Sequence, residues 1–119
     1  MSSLQNDFDR DLLKSWFIFN YKCFWCGQSH ADAFHHILGR ESNSLLNACP
    51  IGNFTCHIGN GKLSTDEVRA LLLQRTYQYL DDAGYVMDDK DEEFYIRHRK
   101  LYLEDVGPLW PEQIKQKLI

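Results

Sequence analysis

The sequence predicts an α+β fold that is mainly helical and forms a single domain over residues 1–119. Apolar residues near the N-terminus recur at helical spacing, and a helix-capping sequence near residue 64 precedes further helical stretches. Between them lies a segment broken by turn-forming residues, with only brief strand-like runs. This middle segment carries all four cysteines and four of the five histidines, so it is where we expect the chemistry.

The first predicted element is a helix over residues 6–21. Its apolar residues recur mostly three or four positions apart, and acidic residues come early, as is common in a first helical turn. The apolar positions are Phe8, Leu12, Leu13, Trp16, Phe17 and Phe19. We expect this face to pack against the rest of the core.

The middle segment, residues 22–62, is predicted to contain little regular structure. It is interrupted by residues that favour turns, which are Gly27, Gly39, Pro50, Gly52 and Asn53. A short strand is predicted within residues 33–38, where β-forming residues run together.

The remaining part, residues 64–119, is predicted to be helical. A capping box at residues 64–67 opens a helix to about Asp82, closed by Gly84. A second helix is predicted over residues 91–104, with His98 as a solvated residue. A short third helix over residues 111–118 begins with a proline in its first turn.

Composition places the chain among ordinary globular proteins, with 44% hydrophobic and 13% aromatic residues. No apolar run approaches the roughly 20 residues that a membrane-spanning helix needs. The first seven residues lack the basic and apolar regions of a secretory signal, so we expect a cytoplasmic location.

Charge is distributed unevenly along the chain, whose net charge is −4. Residues 1–62 hold five acids and five bases, whereas residues 63–119 hold 12 acids and 8 bases. An acidic chain is a poor binder of nucleic-acid phosphates, but bound divalent cations would make the neutral half locally positive. The acidic segment 81–105 is a candidate for binding a partner protein; the alternative is an ordinary solvated surface.

The four cysteines fall into two pairs. Cys23 and Cys26 form a CxxC knuckle, and Cys49 and Cys56 form a second pair with six residues between them, which is wider than usual. We expect one tetrahedral zinc ion bound by all four thiolates. The alternatives are free thiols, two disulfides in a secreted protein, or a redox pair at Cys23 and Cys26, which lacks the βαβ context of that motif.

The adjacent pair His35 and His36 calls for a separate explanation. Neighbouring residues on a strand point to opposite faces, so one imidazole can bind a metal while the other faces a substrate. The alternative is one buried and one solvated histidine. The pair is followed by Arg40, by Asn47 and by His57, which comes directly after a cysteine.

In this order and spacing the segment resembles the HNH endonucleases, the zinc-stapled branch of the ββα-metal nucleases. The matching residues are Cys23-x2-Cys26, His35-His36-Ile37-x2-Arg40, Asn47, Cys49 and Cys56-His57. The resemblance covers residues 23 to about 62, roughly a third of the 119-residue chain. It implies a small ββα-metal core with a four-cysteine zinc site, flanked by an N-terminal helix and C-terminal helices.

The resemblance also implies catalytic roles. His36 would be the general base that takes a proton from the attacking water, for which an imidazole is suited near neutral pH. His35 and His57 would bind the catalytic divalent ion. Asn47 would hold the loop between the two strands through side-chain hydrogen bonds and so orient His36. Arg40 would contact a backbone phosphate.

Further implications concern cofactors and partners. Asn60 is the candidate for an additional ligand of the catalytic ion, which would be Mg²⁺, Mn²⁺ or Ni²⁺, while Zn²⁺ would be structural. The substrate would be DNA, most simply double-stranded, and the host a bacterial or phage-infected cell. The alternative function is a non-catalytic zinc-binding module for protein or nucleic-acid contact, which would need only the cysteines.

Overall fold

The computed structural model describes residues 8–17, 23–25, 33–39, 42–52 and 65–109. Within these ranges the fold is α+β and mainly helical, with one antiparallel two-stranded hairpin that precedes the longer helices. The predicted fold class is therefore confirmed at this level.

Helix α1 spans Arg10–Trp16 and is shorter than the predicted helix over residues 6–21. Asp9 caps its start, because its carboxylate accepts hydrogen bonds from the N–H groups of Asp11 and Leu12 at 2.9 and 3.1 Å. Phe17 ends it by leaving the helical conformation, with φ −119° and ψ 24°. Its buried ring then packs against other aromatic rings, those of Phe24, Phe34 and Tyr79. Tertiary packing thus ends a segment whose spacing predicts a longer helix.

The hairpin pairs β1, Ala33–His36, with β2, Ala48–Ile51. The predicted strand at residues 33–38 is confirmed over its first four residues. It ends in a turn in which the Gly39 N–H donates to the His36 carbonyl at 3.1 Å, and Gly39 takes φ 83°, a conformation that favours glycine. A 3-10 helix, Leu45–Asn47, leads into β2 and is capped by the Ser44 hydroxyl.

Helix α2 spans Asp66–Asp82, close to its predicted range. The predicted capping box over residues 64–67 is wrong. The cap is Thr65, whose hydroxyl accepts from the Val68 N–H at 3.4 Å. Val68 therefore takes the third helical position, where a capping box needs a Glu or Gln side chain. The predicted closure at Gly84 is confirmed. Gly84 has φ 84°, and the next N–H, that of Tyr85, reaches back to the Leu80 carbonyl at 2.9 Å.

The predicted helix over residues 91–104 is two helices, α3 at Asp89–Arg97 and α4 at Arg99–Tyr102. They separate at His98, where φ is −109° and ψ is 22°. The prediction that His98 is solvated is wrong, since it is half-buried with its ring 4.7 Å from that of Phe94. The helix predicted at residues 111–118 lies outside the described residues.

The core joins these elements through fully buried apolar side chains. The largest are Phe17, Phe24, Ile37, Leu45, Leu46, Ile51, Leu72, Leu73, Leu80 and Phe94. Helix α2 packs against the 3-10 helix, β2 and α4, and α3 packs against the 3-10 helix and α4. None of the helices in the described ranges is both long and apolar enough to span a bilayer.

Candidate functional site

Asn47 holds the loop that connects the two strands. Its side chain is fully buried, and its Oδ1 accepts a hydrogen bond from the Leu38 N–H at 2.8 Å. Its Nδ2 donates to the carbonyl oxygens of Gly39 and Ser42, both at 3.0 Å. The amide therefore makes side-chain hydrogen bonds to the loop of the kind that the family resemblance implies, while a catalytic role for Asn47 stays a prediction.

His36 is the last residue of β1 and enters this same loop. Its carbonyl accepts from the Gly39 N–H, and the next N–H, that of Ile37, donates to the Asn47 carbonyl at 3.0 Å. The half-buried imidazole stacks on the ring of Phe8, with centroids 4.0 Å apart and planes only 12° from parallel. The loop thus holds the backbone of His36, and Phe8 restricts the orientation of its ring.

The strand register relates the two histidines to β2. His35 pairs with Cys49 and His36 pairs with Ala48. Directly paired residues project to one face of a sheet, and successive residues project to opposite faces. His35 therefore shares a face with Cys49, one of the predicted zinc ligands, whereas His36 belongs to the other face. The sequence assigns His35 and Cys49 to two different metal ions, but the hairpin makes them neighbours.

Cys23 and Cys49 approach each other although 26 positions separate them in sequence. Both are fully buried. The N–H of Phe24, the residue after Cys23, donates to the carbonyl of Pro50, the residue after Cys49, at 2.8 Å. The backbone segments that carry these two predicted zinc ligands are thus hydrogen-bonded side by side.

Arg75 of α2 lies beside these two cysteines and is a residue that the sequence analysis missed. It is only 6% exposed. The pKa of its guanidinium is lowered, because burial disfavours the charged form more than interaction with Cys49 and Cys23 favours it. The sequence does contain one signal for Arg75: it lies three positions after Leu72, so a charged residue falls on the apolar face of α2.

A second buried polar group joins α3 to the 3-10 helix. The Asp91 carboxylate, 1% exposed, accepts from the Ser44 hydroxyl at 2.6 Å, from the Tyr85 hydroxyl at 2.5 Å and from the Asp88 N–H at 3.1 Å. Burial and then the hydrogen bond to Asp91 raise the pKa of the Tyr85 phenol. Because Ser44 also caps the 3-10 helix, α3 is anchored directly beside Asn47.

The other predicted site residues lie outside the described residues; they are Cys26, Arg40, Cys56, His57 and Asn60. Within the described ranges, no three His, Cys, Asp or Glu side chains gather into a group that could hold a metal ion. The structure therefore describes two cysteines of the predicted zinc site, and one histidine of the predicted catalytic-ion site.

Comparison with known proteins gave no match, whether with a protein-family model, a curated protein or a solved structure. The function proposed below is inferred from the chain's own residues, above all the hairpin with His36 and Asn47 and the two neighbouring cysteines.

Proposed function

We propose that this chain is a metal-dependent HNH-type endonuclease that hydrolyses DNA phosphodiester bonds, with His36 as the general base. One observation carries the proposal: His36 ends the first strand of a hairpin whose loop is held by the buried side chain of Asn47. A catalytic base must be held in one place to gain from proximity to the reacting atoms. The three hydrogen bonds of Asn47 and the stack on Phe8 support such a role.

The proposed reaction moves one proton to His36. The imidazole accepts a proton from a water molecule while the water oxygen forms a bond to phosphorus. The bond from phosphorus to the 3′ oxygen breaks, and the leaving oxygen takes a proton from solvent. Arg40 is proposed to contact a neighbouring phosphate.

A divalent ion such as Mg²⁺, Mn²⁺ or Ni²⁺ is proposed to neutralise charge on the phosphate and on the leaving oxygen when it is bound. His35 and His57 are the proposed ligands, with Asn60 as the candidate for a further one. Only a few protein ligands are needed, because water and phosphate oxygens complete the shell of such an ion.

A structural zinc is proposed at Cys23, Cys26, Cys49 and Cys56. The chemistry of the donor set fits, since thiolates are the usual ligands of closed zinc sites. Two observations support it: the full burial of Cys23 and Cys49, and the hydrogen bond between the residues that follow them. Such a site would contribute folding energy to a segment with little regular structure.

The proposed substrate is double-stranded DNA in the cytoplasm of a bacterial or phage-infected cell. The described C-terminal surface is ill suited to that substrate, because its exposed acids outnumber its exposed bases between residues 81 and 105. The acids are Asp81, Asp82, Asp88, Asp89, Glu92, Glu93, Glu104 and Asp105. We assign this surface to solvent or to a protein partner, and DNA contact to the hairpin side.

A second candidate function is a non-catalytic zinc-binding module that contacts protein or nucleic acid. Two observations favour it: His35 pairs across the hairpin with Cys49, and His36 stacks on Phe8. Both give a histidine a structural neighbour, so the pair could serve folding instead of catalysis. The two candidates differ in whether the folded, zinc-loaded protein cleaves nucleic acid.

Plasmid nicking separates the two functions. Zinc-loaded wild type, His36→Ala and the histidine control His98→Gln are incubated with supercoiled DNA and added Mg²⁺, Mn²⁺ or Ni²⁺. An endonuclease with His36 as base loses roughly 100- to 10,000-fold in cleavage rate in His36→Ala, while His98→Gln keeps its rate if it folds. Absence of cleavage of any DNA or RNA by folded wild type would favour the binding module.

A further inference from the structure

A small cavity lies between the 3-10 helix, the end of α2 and the segment that leads from α2 to α3. Its volume is about 120 Å³, and it is lined by Leu46, Tyr77, Leu80, Asp81, Tyr85 and Met87. This volume is close to the roughly 150 Å³ that accommodates a benzene-sized ligand. It is well below the roughly 300–1,000 Å³ of sites for drug-sized molecules. The cavity therefore suits the end of one side chain and is too small for a nucleotide.

Two tyrosines of the lining are held in place by their neighbours. The Tyr77 ring packs against the rings of Tyr95 and Tyr102, with centroids 5.3 and 5.8 Å apart. The Tyr85 ring meets the ring of Trp16 edge-on at 5.0 Å, and its hydroxyl donates to a buried carboxylate of α3. The aromatic part of the lining is thus ordered before a ligand binds, which reduces the entropy lost on binding.

Asp81 is the charged residue of the lining. Within the described ranges its exposed carboxylate makes neither a hydrogen bond nor an ion pair. Burial, then Tyr95 and then the charge of Asp81 raise the pKa of the Tyr77 phenol, so this carboxylate acts on the aromatic lining. Asp81 also lies in the last turn of α2, which contains no basic residue. An acid is unfavourable there, because the C-terminal end of a helix is partially negative. Helix stability therefore gives no reason for a carboxylate at this position.

The chain around the cavity is acidic and partly apolar. Residues 81–92 provide three of the six lining residues and contain six acidic residues and one lysine. Such a surface attracts cations and disfavours anions. Val86, between two lining residues, is 84% exposed. An apolar side chain at this place gains from being covered by a polypeptide, which a small free cation does not provide.

We propose that this cavity binds an arginine side chain of a protein partner, with the guanidinium beside Tyr77, Tyr85 and the Asp81 carboxylate. A guanidinium is planar, more weakly hydrated than an ammonium and able to stack on aromatic rings, so it suits this cavity better than a lysine side chain. Its parallel N–H groups also match the two oxygens of a carboxylate. The inference goes beyond the proposed nuclease, because no lining residue is a proposed catalytic residue or metal ligand.

The test is an NMR titration of isotope-labelled full-length protein with N-acetylarginine amide. One matched probe is the citrulline analogue, in which an uncharged urea replaces the guanidinium at nearly the same shape. The other is N-acetyllysine amide, with the acetyl group on the α-nitrogen. We expect saturable shifts of the backbone amides of the lining residues with the arginine compound, weaker binding of the lysine compound, and no saturation with the citrulline compound.

Asp81→Asn is the deciding variant, and Asp82→Asn is its control. Both changes remove one exposed acid from the last turn of α2, but Asp82 accepts from the Gln78 side chain at 2.8 Å and does not line the cavity. We expect Asp81→Asn to weaken binding of the arginine compound about 2- to 5-fold without lowering the melting temperature. Asp82→Asn should bind it as wild type does.

Several results would overturn the inference. They are the absence of saturable shifts in wild type, saturable shifts only at residues away from the cavity, and equal effects of Asp81→Asn and Asp82→Asn. Equal binding of the arginine and citrulline compounds would show that the guanidinium charge is not recognised. Lysine binding as tight as arginine binding would contradict the choice of arginine. DNA cleavage is not measured in this test, so its outcome is separate from that of the proposed nuclease function.

Discussion

Asn47 uses both donors and one acceptor of its side-chain amide on a single loop. An amide can do this where a carboxylate or a hydroxyl cannot, because it presents an acceptor oxygen and a doubly donating NH₂ group at the two ends of one planar group. The Leu38 N–H lies on the acceptor side, and the carbonyls of Gly39 and Ser42 lie on the donor side. This residue therefore sets the shape of the turn that follows His36.

Replacing Asn47 by Asp should destabilise the fold and the site together. The substitution keeps the acceptor for Leu38 but puts a carboxylate oxygen where the two donors were, about 3 Å from two carbonyl oxygens. We expect a loss of about 1–3 kcal/mol in the free energy of unfolding, measured by urea titration. Asn43→Asp, in the half-exposed part of the same loop, is the matched control and should change stability little. Equal effects of the two changes would contradict the role given to Asn47.

Individual residues differ in how far the sequence reveals them. His35, His36 and Asn47 could be proposed as site residues because their order and spacing are local and resemble a known motif. Arg75 could not, because its partners lie about 50 positions earlier in the chain, at Phe24 and Trp25. The spacing of apolar residues in α2 reveals a buried face, but it does not reveal which distant carbonyls meet that face.

Among the elements, α3 has an unusual link to the hairpin. Its first turn contains Asp91, which completes a capping box with Asp88 and at the same time accepts the hydroxyl of Ser44. A capping box ordinarily joins only two residues that are three positions apart. Here it connects two elements that are 47 positions apart and fixes the start of the 3-10 helix that ends at Asn47.

Asp91→Asn tests this link between elements. An amide NH₂ in place of one carboxylate oxygen removes an acceptor used by Ser44 or by Tyr85, and it leaves a buried polar group unsatisfied. We expect a loss of about 1–3 kcal/mol in the free energy of unfolding, and a smaller additional loss when Ser44→Ala is combined with it. Asp89→Asn, exposed in the same turn, controls for the change of charge near the helix start.

Prediction of the elements from sequence succeeded where local signals were complete and failed where packing decided. The strand that ends at His36 follows from local composition. The end of α2 at Gly84 follows from the need for a residue that adopts a left-handed conformation. The end of α1 at Trp16 does not, because Phe17 matches the helical spacing and leaves the helix to enter an aromatic cluster. Likewise, His98 separates α3 from α4 with no proline or glycine beside it.

At the scale of the whole molecule, the tyrosines predict how stability depends on pH. Burial and then the hydrogen bond to Asp91 raise the pKa of Tyr85 above its ordinary value of 10.0. Burial, followed by the neighbouring Tyr95 and Tyr77, also raises the pKa of Tyr102. The fold therefore favours the neutral phenols. Their contribution to stability is fully present below about pH 10 and is lost as the pH rises beyond it.

Urea unfolding between about pH 8 and about pH 11 measures this dependence. Wild type should lose stability progressively above about pH 10, and Tyr85→Phe should lose less, because the unfolded chain then gains one ionised phenol fewer. The loss of stability that persists in Tyr85→Phe is assigned to Tyr102 and to Tyr77, whose pKa burial also raises. Parallel slopes for wild type and Tyr85→Phe above that pH would show that Tyr85 does not contribute.

The whole molecule has a radius of gyration of 13.4 Å, close to the roughly 13 Å typical of a folded 100-residue domain. Around its hairpin, side-chain hydrogen bonds from different residues hold different parts of the proposed site. Asn47 holds the loop after His36, and Asp91 anchors the start of the 3-10 helix that ends at Asn47. Arg75 donates to the carbonyls of Phe24 and Trp25, the residues after Cys23. The central claim that connects them is that His36 acts as a base on water bound near a phosphate.

Chemical rescue tests that claim most directly. Zinc-loaded His36→Ala is assayed for plasmid nicking in Mg²⁺ with and without added imidazole, beside wild type and Asn47→Ala treated identically. We predict that imidazole restores part of the cleavage lost in His36→Ala and none of that lost in Asn47→Ala, because only the first variant lacks a base and keeps its loop. Cleavage by folded His36→Ala at the wild-type rate without imidazole would contradict the claim.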